Sequence, residues 1–288
     1  MAQAQHGTTG TAPGDQRERQ ERERQERQRQ EWERWRAERT AEVSAPYGLT
    51  ALRSTHWLSD YPDGRLPAIP GEWILPPEGG APVLRAAAGD GLIVDEAPFA
   101  GELRLGPDSG PPAAARVALG RRRLVVLERE GAWAVRDFDP ASPARAAFRG
   151  IATGAFDPDL AVPGRFTPYG TGRTVRVAHA DGRERGLGLG GELAFELAGQ
   201  RRTVQVAVLG DGSLWAVFAD ATSGRGSYRF RFLDTAAPGP DGAAVVDFNR
   251  ARLPSCAFAD AFLCPFPPPG NTLDVPVEAG ELRLLPSG

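Results

Sequence analysis

The sequence contains no lysine: apart from three histidines, every basic side chain is an arginine. The missing lysine excludes enzymes that form a Schiff base with a substrate or with pyridoxal phosphate, and it excludes the P-loop, whose lysine binds phosphates. An all-arginine set is most simply explained by codon bias in a GC-rich genome. The composition is therefore of the actinobacterial type and indicates no function by itself.

Histidine is nearly as scarce as lysine. Of His6, His56 and His179, the first lies in a polar tail, so at most two histidines can belong to a folded site. This number excludes a histidine-rich zinc centre and the HExxH class of metalloproteases. We predict no cofactor and no metal, apart from one alternative for the cysteines given below.

Long apolar runs are also missing. No window approaches the roughly 18 consecutive apolar residues of a transmembrane helix. The first 16 residues lack the basic and apolar regions of a signal peptide. We expect a cytoplasmic protein that does not contact a membrane. The net charge of -3 and the pI near 5.8 argue against nucleic-acid binding.

The N-terminal part is dominated by charge. Residues 1–15 are predicted to be a disordered tail, and residues 16–43 a charged helix rich in arginine, glutamate and glutamine. Up to Gln30 this helix has no apolar face and should extend into solvent. A stripe along one face then follows, formed by Trp32, Trp35, Arg39 and Val43. This stripe should dock on the rest of the protein. The charged part is either a solvated extension or a helix that binds a protein partner.

From Val83 onward, apolar and polar residues alternate, as in strands with one buried face. Two series of short strands predict an all-β fold: a mostly antiparallel sandwich or barrel with two packed β units and one N-terminal charged α-helix. We place the β-rich domain at residues 44–288, with subunits at 81–150 and 170–285. Residues 151–170 contain three prolines and are predicted to be a connector.

Residues 186–191 match the GxGxxG fingerprint of dinucleotide-binding loops. That fingerprint needs a buried strand before it and a helix after it, but arginine and glutamate precede this stretch and an alternating strand follows. We interpret the glycines as a flexible turn and reject dinucleotide binding.

Polar side chains on the last strands are candidates for a ligand site. Arg231 should face away from the aromatic residues of its strand. If the strand before Asn249 is a neighbour, Arg231 could pair with Asp247. Such a pair is either a structural ion pair or part of a charged pocket for a small polar or anionic ligand. Asp220 and Thr222 can also form a turn with their own backbone, which is the structural interpretation of that pair.

Cys256 and Cys264 are eight residues apart, with prolines around both. Four interpretations remain open. The cysteines are buried free thiols, a local disulfide, part of a metal site with His56 and an aspartate, or a catalytic thiol beside His56 or His179.

A long series of short elements carries a family resemblance: Arg136-Asp137, Phe148-Arg149-Gly150-Ile151, Arg165-Phe166, Asp220-Ala221-Thr222-Ser223-Gly224, Tyr228, Arg231-Phe232-Leu233, Asp247-Phe248-Asn249-Arg250-Ala251, Pro254, Cys256, Cys264-Pro265, Pro267-Pro268, Asn271 and Gly280-Glu281. In order and spacing they resemble the domain of unknown function 1684 family, a group of uncharacterised bacterial proteins. The resemblance extends over residues 32–285. It implies a β-rich fold with one N-terminal helix and no defined activity.

Two hypotheses for function follow. The first is a protein that binds a small molecule, with or without catalysis, through a polar cluster of Arg136, Asp137, Asp220, Thr222, Tyr228, Arg231, Asp247 and Asn249. The second is a non-catalytic interaction or structural module that uses the Arg/Glu helix. Convergence of the polar side chains on an open concavity would favour the first, whereas buried and mutually satisfied side chains would favour the second.

Overall fold

A computed structural model describes residues 13–286 of the chain. Its first element is the helix α1, Pro13–Val43. Residues 1–12 of the predicted disordered tail lie outside the described residues. The helix begins at Pro13 rather than at residue 16, because proline is well tolerated in the first turn of a helix, where its missing N–H has no partner to lose.

The docking stripe of α1 is confirmed. Trp32, Arg39 and Val43 are buried, whereas nearly all side chains from Gln16 to Gln30 are exposed. The exposed turns are held by ion pairs along the helix itself, such as that of Arg19 with Glu23 at 3.0 Å. Pairs of this kind support a helix by about 0.2–0.5 kcal/mol each. The charged turns therefore do not pack on the rest of the described chain.

The first β unit consists of a six-stranded sheet and a three-stranded sheet around one core. Its strands are β1 Leu52–Trp57, β2 Glu72–Ile74, β3 Val83–Ala86, β4 Leu92–Val94, β5 Ala97–Pro98, β6 Gly101–Arg104, β7 Val117–Leu119, β8 Arg122–Arg129 and β9 Ala132–Phe138. The large sheet has the order β1-β9-β8-β7-β4-β5, and the small one has the order β2-β3-β6. Trp73, Leu84 and Leu124 are fully buried in the core.

The second β unit is a six-stranded half-barrel with an additional two-stranded ribbon. Its elements are α2 Pro143–Ala147, β10 Ile151–Thr153, β11 Ala161–Ala178, β12 Glu184–Leu197, β13 Gln200–Val208, β14 Leu214–Phe218, β15 Arg231–Thr235, β16 Ala243–Asp247 and β17 Glu281–Leu284. The half-barrel has the order β15-β14-β13-β12-β11-β16, and β10 pairs with β17. All these strand pairs are antiparallel, so the predicted mostly antiparallel β fold is confirmed.

The predicted connector at 151–170 is wrong, because most of it belongs to β10 and β11. Prolines are tolerated in β11 for local reasons. The ladder to β12 is interrupted after Pro168, where the register shifts before Arg173. Only the first five residues of β11 pair with the edge strand β16. A strand accepts a proline where a ladder hydrogen bond is already missing.

The predicted flexible turn at residues 186–191 is also wrong, since these glycines lie within β12. A Cβ atom at Gly190 would overlap Val208, and one at Gly191 would overlap the ring of Phe166. The glycines therefore allow neighbouring strands to approach closely. The element that follows is β13, not a helix.

The two β units meet in a shared apolar cluster. Leu52 and Phe138 come from the first unit, Val217 and Phe230 from the second, and Phe262 from the chain after β16. Residues 248–280, here called the C-terminal segment, run between α1 and the two units with little regular structure. The candidate site residues lie in or beside this segment or at the junction of the units, except Asp137, whose partners belong to the first unit.

Candidate functional site

Arg231 and Asp220 form a buried ion pair. Arg231 is fully buried, and its Nη2 donates to Oδ2 of Asp220 over 2.7 Å. The guanidinium also donates to the carbonyl oxygens of Val277 at 2.7 Å and Ala279 at 2.6 Å. It therefore fastens the C-terminal segment to the half-barrel. The predicted pair of Arg231 with Asp247 is wrong.

The physical reason is strand order. β15 pairs with β14 in the register that sets Phe218 opposite Arg231, so Asp220 follows directly beyond this pair. Oδ1 of Asp220 accepts hydrogen bonds from the backbone N–H and the hydroxyl of Thr222, both at 2.7 Å. The predicted turn of Asp220 with its own backbone is confirmed. Although burial opposes the shift, the charge of Arg231 and these bonds lower the pKa of Asp220.

Asp247 and Asn249 hold the helix α1 in place. Oδ1 of Asp247 accepts from the backbone N–H of Asn249 at 3.0 Å, and the Asn249 side chain exchanges two hydrogen bonds with the backbone of Asp157. The carbonyl oxygen of Asn249 accepts from the indole N–H of Trp32 at 2.9 Å. These polar groups satisfy one another, so their geometry indicates a structural role.

A second anchor of α1 was not found from the sequence. Arg39 donates to Glu281 over 3.2 Å, and the other carboxylate oxygen accepts from the backbone N–H of Leu253 at 2.7 Å. Glu281 is buried, and burial raises its pKa although Arg39 opposes the shift. The one charged residue within an otherwise apolar stripe was the available signal for this contact.

Arg136 and Asp137 lie on opposite faces of the first sheet. Asp137 points toward the core of the first unit, where Arg122 binds both of its oxygens, at 2.8 and 2.5 Å. Arg136 points toward the second unit and shares its face with Trp57 and Val125, according to the strand register. The eight candidate residues therefore do not converge on one site.

Arg136 is the one candidate whose charge is not compensated. It is half-buried, its guanidinium lies 5.3 Å from the ring centre of Phe262, and its Nε is buried without a hydrogen-bond partner. Within residues 13–286 it makes no ion pair. Burial, together with the positive charge of Arg129, lowers the pKa of Arg136 to about 10, although Cys264 opposes the shift. Arg231 also has an unpartnered Nε, but its other nitrogens are bonded.

His179 lies against the same part of the C-terminal segment. It is buried, and its Nδ1 lies 2.9 Å from the carbonyl oxygen of Leu263. Because a carbonyl oxygen only accepts, Nδ1 carries the proton and Nε2 presents a lone pair. Nε2 is buried and has no partner among the described residues. We call Arg129, Arg136 and His179 the junction cluster.

The other arginines near the junction are already paired. Arg185 binds both oxygens of Asp181, and Arg183 binds both oxygens of Asp60. Arg129 is exposed and makes no ion pair within residues 13–286. Neither Arg129 nor His179 belongs to the predicted set. The scarcity of histidine pointed to His179, whereas nothing in the sequence distinguishes Arg129 from the paired arginines.

Cys256 and Cys264 are free and buried, which agrees with the first of the four interpretations. The backbone N–H of Cys256 donates to Sγ of Cys264 at 3.2 Å, and the hydroxyl of Tyr228 lies 3.7 Å from Sγ of Cys256. Among residues 13–286, no three histidine, cysteine, aspartate or glutamate side chains form a group that could hold a metal ion. The metal alternative for the cysteines therefore lacks a ligand set in this part of the chain.

The two described histidines predict how stability depends on pH. Burial lowers the pKa of both His56 and His179 below the usual 6.5. Protonation of these histidines therefore favours the unfolded chain. Their contribution to the free energy of unfolding is fully present above about pH 6.5, and it is lost as the pH falls toward their lowered pKa values in the folded state. Unfolding midpoints at pH 7.5, 6.5 and 5.5 should fall less steeply for the double variant His56→Gln, His179→Gln than for the original protein. Glu281 titrates in both proteins and cancels in the difference. Equal slopes would contradict this account.

The helices among residues 13–286 do not combine the length and the apolar character that a membrane crossing requires.

Comparison with known proteins gives one family. Residues 146–282 match the family described as protein of unknown function (DUF1684). The solution NMR structure of an uncharacterized protein of Haloarcula marismortui is 32% identical to this chain; the match covers 48% of this chain and 78% of that chain, with a TM-score of 0.41. No curated protein matches. The matched range is shorter than the predicted resemblance over residues 32–285, and the first β unit lies outside it. Through its second β unit, the chain belongs to the domain of unknown function 1684 family.

Proposed function

We propose that the protein binds a small oxyanion, such as a phosphate or a carboxylate group, at the junction cluster. The observation that carries the proposal is the guanidinium of Arg136, which is partly buried, unpaired and close to a second unpaired arginine. The other polar candidates do not support a ligand site, because the protein itself satisfies Asp220, Asp247 and Asn249 and pairs the charge of Arg231 with Asp220.

The energetic argument concerns desolvation. A guanidinium that leaves water loses hydration, and proteins normally compensate the loss with a carboxylate. Stacking on Phe262 compensates Arg136 only in part. The lowered pKa of Arg136 reflects the part of the desolvation cost that is not compensated, together with repulsion from the like charge of Arg129. An anion between the two arginines would remove both penalties, and arginine is the side chain best suited to hold an oxyanion through two parallel hydrogen bonds.

His179 restricts the chemistry of the ligand. Its Nε2 presents a lone pair, so the neutral ring accepts a hydrogen bond from a ligand hydroxyl. A group that carries both negative charge and a hydroxyl, as hydrogenphosphate does, satisfies the two arginines and His179 together. The same ring would donate to a fully ionised group only after protonation.

Titration of the full chain with inorganic phosphate tests the proposal. Phosphate should raise the unfolding midpoint progressively with its concentration, since a ligand that binds only the folded state stabilises it by mass action. Arg136→Met should weaken the apparent affinity by at least about tenfold, the effect expected when one charge-assisted hydrogen bond is lost. Sodium chloride at equal ionic strength controls for general screening of charge.

Arg201→Met is the matched control. Arg201 is exposed at the start of β13, whereas His179 lies just beyond the opposite end of the β11–β12 hairpin. This variant loses the same charge and should retain the phosphate effect. If chloride and phosphate shift the midpoint equally, or if both variants respond alike, the junction cluster does not bind oxyanions.

A further inference from the structure

We propose that Cys256 and Cys264 are a dithiol that a hydroperoxide oxidises to an intramolecular disulfide. Its reacting groups are the two thiols with Tyr228 and Arg229, which are not members of the junction cluster, although the loop between the cysteines also carries the contacts of Phe262 with Arg136 and of Leu263 with His179. The two buried thiols lie on one short loop, and the backbone N–H of Cys256 donates to the sulfur of Cys264.

Geometry supplies the first argument. The backbone nitrogen of Cys256 lies 3.2 Å from Sγ of Cys264. Covalent bond lengths then keep the two Cα atoms within about 7.5 Å of each other, and disulfides span Cα separations of about 4.4–6.8 Å. A small movement of the loop therefore closes the bond. The loop is anchored at its second end, where the carbonyl oxygen of Cys264 accepts from the backbone N–H of Ala180.

The surroundings give the two sulfur atoms different roles. A hydrogen bond from the thiol of Cys264 lowers the pKa of Cys256 to about 7; burial opposes this shift, and Tyr228 and Arg229 reinforce it. Cys256 is therefore substantially a thiolate near neutral pH. The same hydrogen bond and burial raise the pKa of Cys264. Cys264 keeps its proton, as a resolving thiol should until the first sulfur has been oxidised.

Tyr228 and Arg229 complete the environment of the thiolate. Burial raises the pKa of Tyr228 to about 12, with the charge of Cys256 as the next cause, so its hydroxyl stays protonated. Its proton has two acceptors on Cys256, the carbonyl oxygen at 3.3 Å and the sulfur at 3.7 Å. The guanidinium of Arg229 is stacked 4.6 Å from the ring centre of Phe266 and contributes positive charge nearby. Both side chains stabilise the thiolate of Cys256, and neither is bonded to its sulfur atom.

The reaction balances in two steps. The thiolate of Cys256 attacks one oxygen of hydrogen peroxide, the O–O bond breaks, and a sulfenic acid and hydroxide are formed. Sγ of Cys264 then attacks the sulfur of the sulfenic acid and displaces its oxygen as water. In sum, two thiols lose two electrons and two protons, and one peroxide becomes two waters. The residues Cys256 and Cys264 are 4% and 5% exposed, so the proposal requires a small oxidant such as hydrogen peroxide.

Oxidation of the reduced full chain with hydrogen peroxide tests the proposal. We expect both thiols to be lost together, with a mass lower by two hydrogen atoms and no covalent dimer. Because the thiolate is the nucleophile, the rate should rise about tenfold from pH 6 to pH 8 and then level off. Cys264→Ser should stop at a sulfenic acid on Cys256, which dimedone traps. Cys256→Ser should leave Cys264 unreacted under the same conditions.

Tyr228→Phe is the matched variant, since it keeps the ring and removes only the hydroxyl. It should slow oxidation several-fold without preventing the disulfide. Sulfinic acids or disulfides between chains as the main products would overturn the proposal, and so would thiols that react only after unfolding. If a serine variant does not fold, the products of the original protein still decide between these outcomes.

Discussion

Replacing Arg231 by methionine is expected to lower the free energy of unfolding by about 3–5 kcal/mol, the range for breaking a buried ion pair from one side. The substitution leaves the buried carboxylate of Asp220 without its partner and removes the donors to the carbonyl oxygens of Val277 and Ala279. Methionine retains the aliphatic part of the arginine side chain but is two atoms shorter, so a small cavity at the guanidinium position adds to the loss of charge and hydrogen bonding. Urea denaturation followed by tryptophan fluorescence measures the change.

Two controls make this result specific. Arg252 pairs with Asp234 at 2.7 Å, but both side chains are about one-third exposed, so Arg252→Met should cost less than about 1 kcal/mol. The double variant Arg231→Met, Asp220→Leu should be more stable than the sum of the two single variants predicts, because it leaves no unpaired buried charge. A loss below about 1 kcal/mol for Arg231→Met would show that the ion pair does not hold the C-terminal segment.

An alanine at Gly280 is expected to destabilise the protein by about 3 kcal/mol or more. Gly280 has φ +74, a left-handed conformation that costs any other residue about 1–2 kcal/mol. In addition, the new Cβ atom would lie 2.7 Å from the carbonyl oxygens of both Ala251 and Phe248. Backbone atoms cannot move aside as a flexible side chain can. The strain would reach Glu281, the next residue, and through it the anchor of α1.

Gly182→Ala separates the two causes. Gly182 has φ +78, but a Cβ atom there would meet nothing within 4 Å. This variant should lose only the conformational part, about 1 kcal/mol. Thermal unfolding of the two variants under the same conditions gives the comparison. Equal losses of stability would mean that the backbone around Gly280 can move to make room for a Cβ atom.

Local patterns made much of the fold predictable. The docking stripe of α1 depends on spacing along one helix, and the strands β4, β8, β9 and β14 follow from alternation within a few residues. Prolines and glycines gave wrong predictions for β11 and β12, because both residue types mark loops on average. In β11 and β12 they occupy positions where a ladder bond is missing or where a neighbouring strand comes too close for a side chain.

The site was harder to predict, because its evidence depends on partners distant in the sequence. The identity of the group that binds Arg231 depends on whether β14 or β16 is the neighbour of β15, and the sequence does not state strand order. Arg136 and Asp137 are adjacent in the chain, but the pleat sends them to opposite faces, where only one finds a partner. Whether the charge of Arg136 is compensated depends on the positions of all nearby carboxylates, and these positions do not follow from the sequence.

The two contacts that anchor α1 have a consequence for the order of folding. Trp32 binds the backbone of Asn249, and Arg39 binds Glu281, so these contacts join residues 217 and 242 positions apart. During synthesis from the N-terminus, the aromatic stripe of the helix must stay uncovered until nearly all later residues have left the ribosome. We therefore expect helix docking to be a late and slow event, limited by the closure of very long loops. In this interval the charged turns before Trp32 should help to prevent aggregation through the exposed tryptophan side chains, until β17 has been synthesised and Glu281 can bind Arg39.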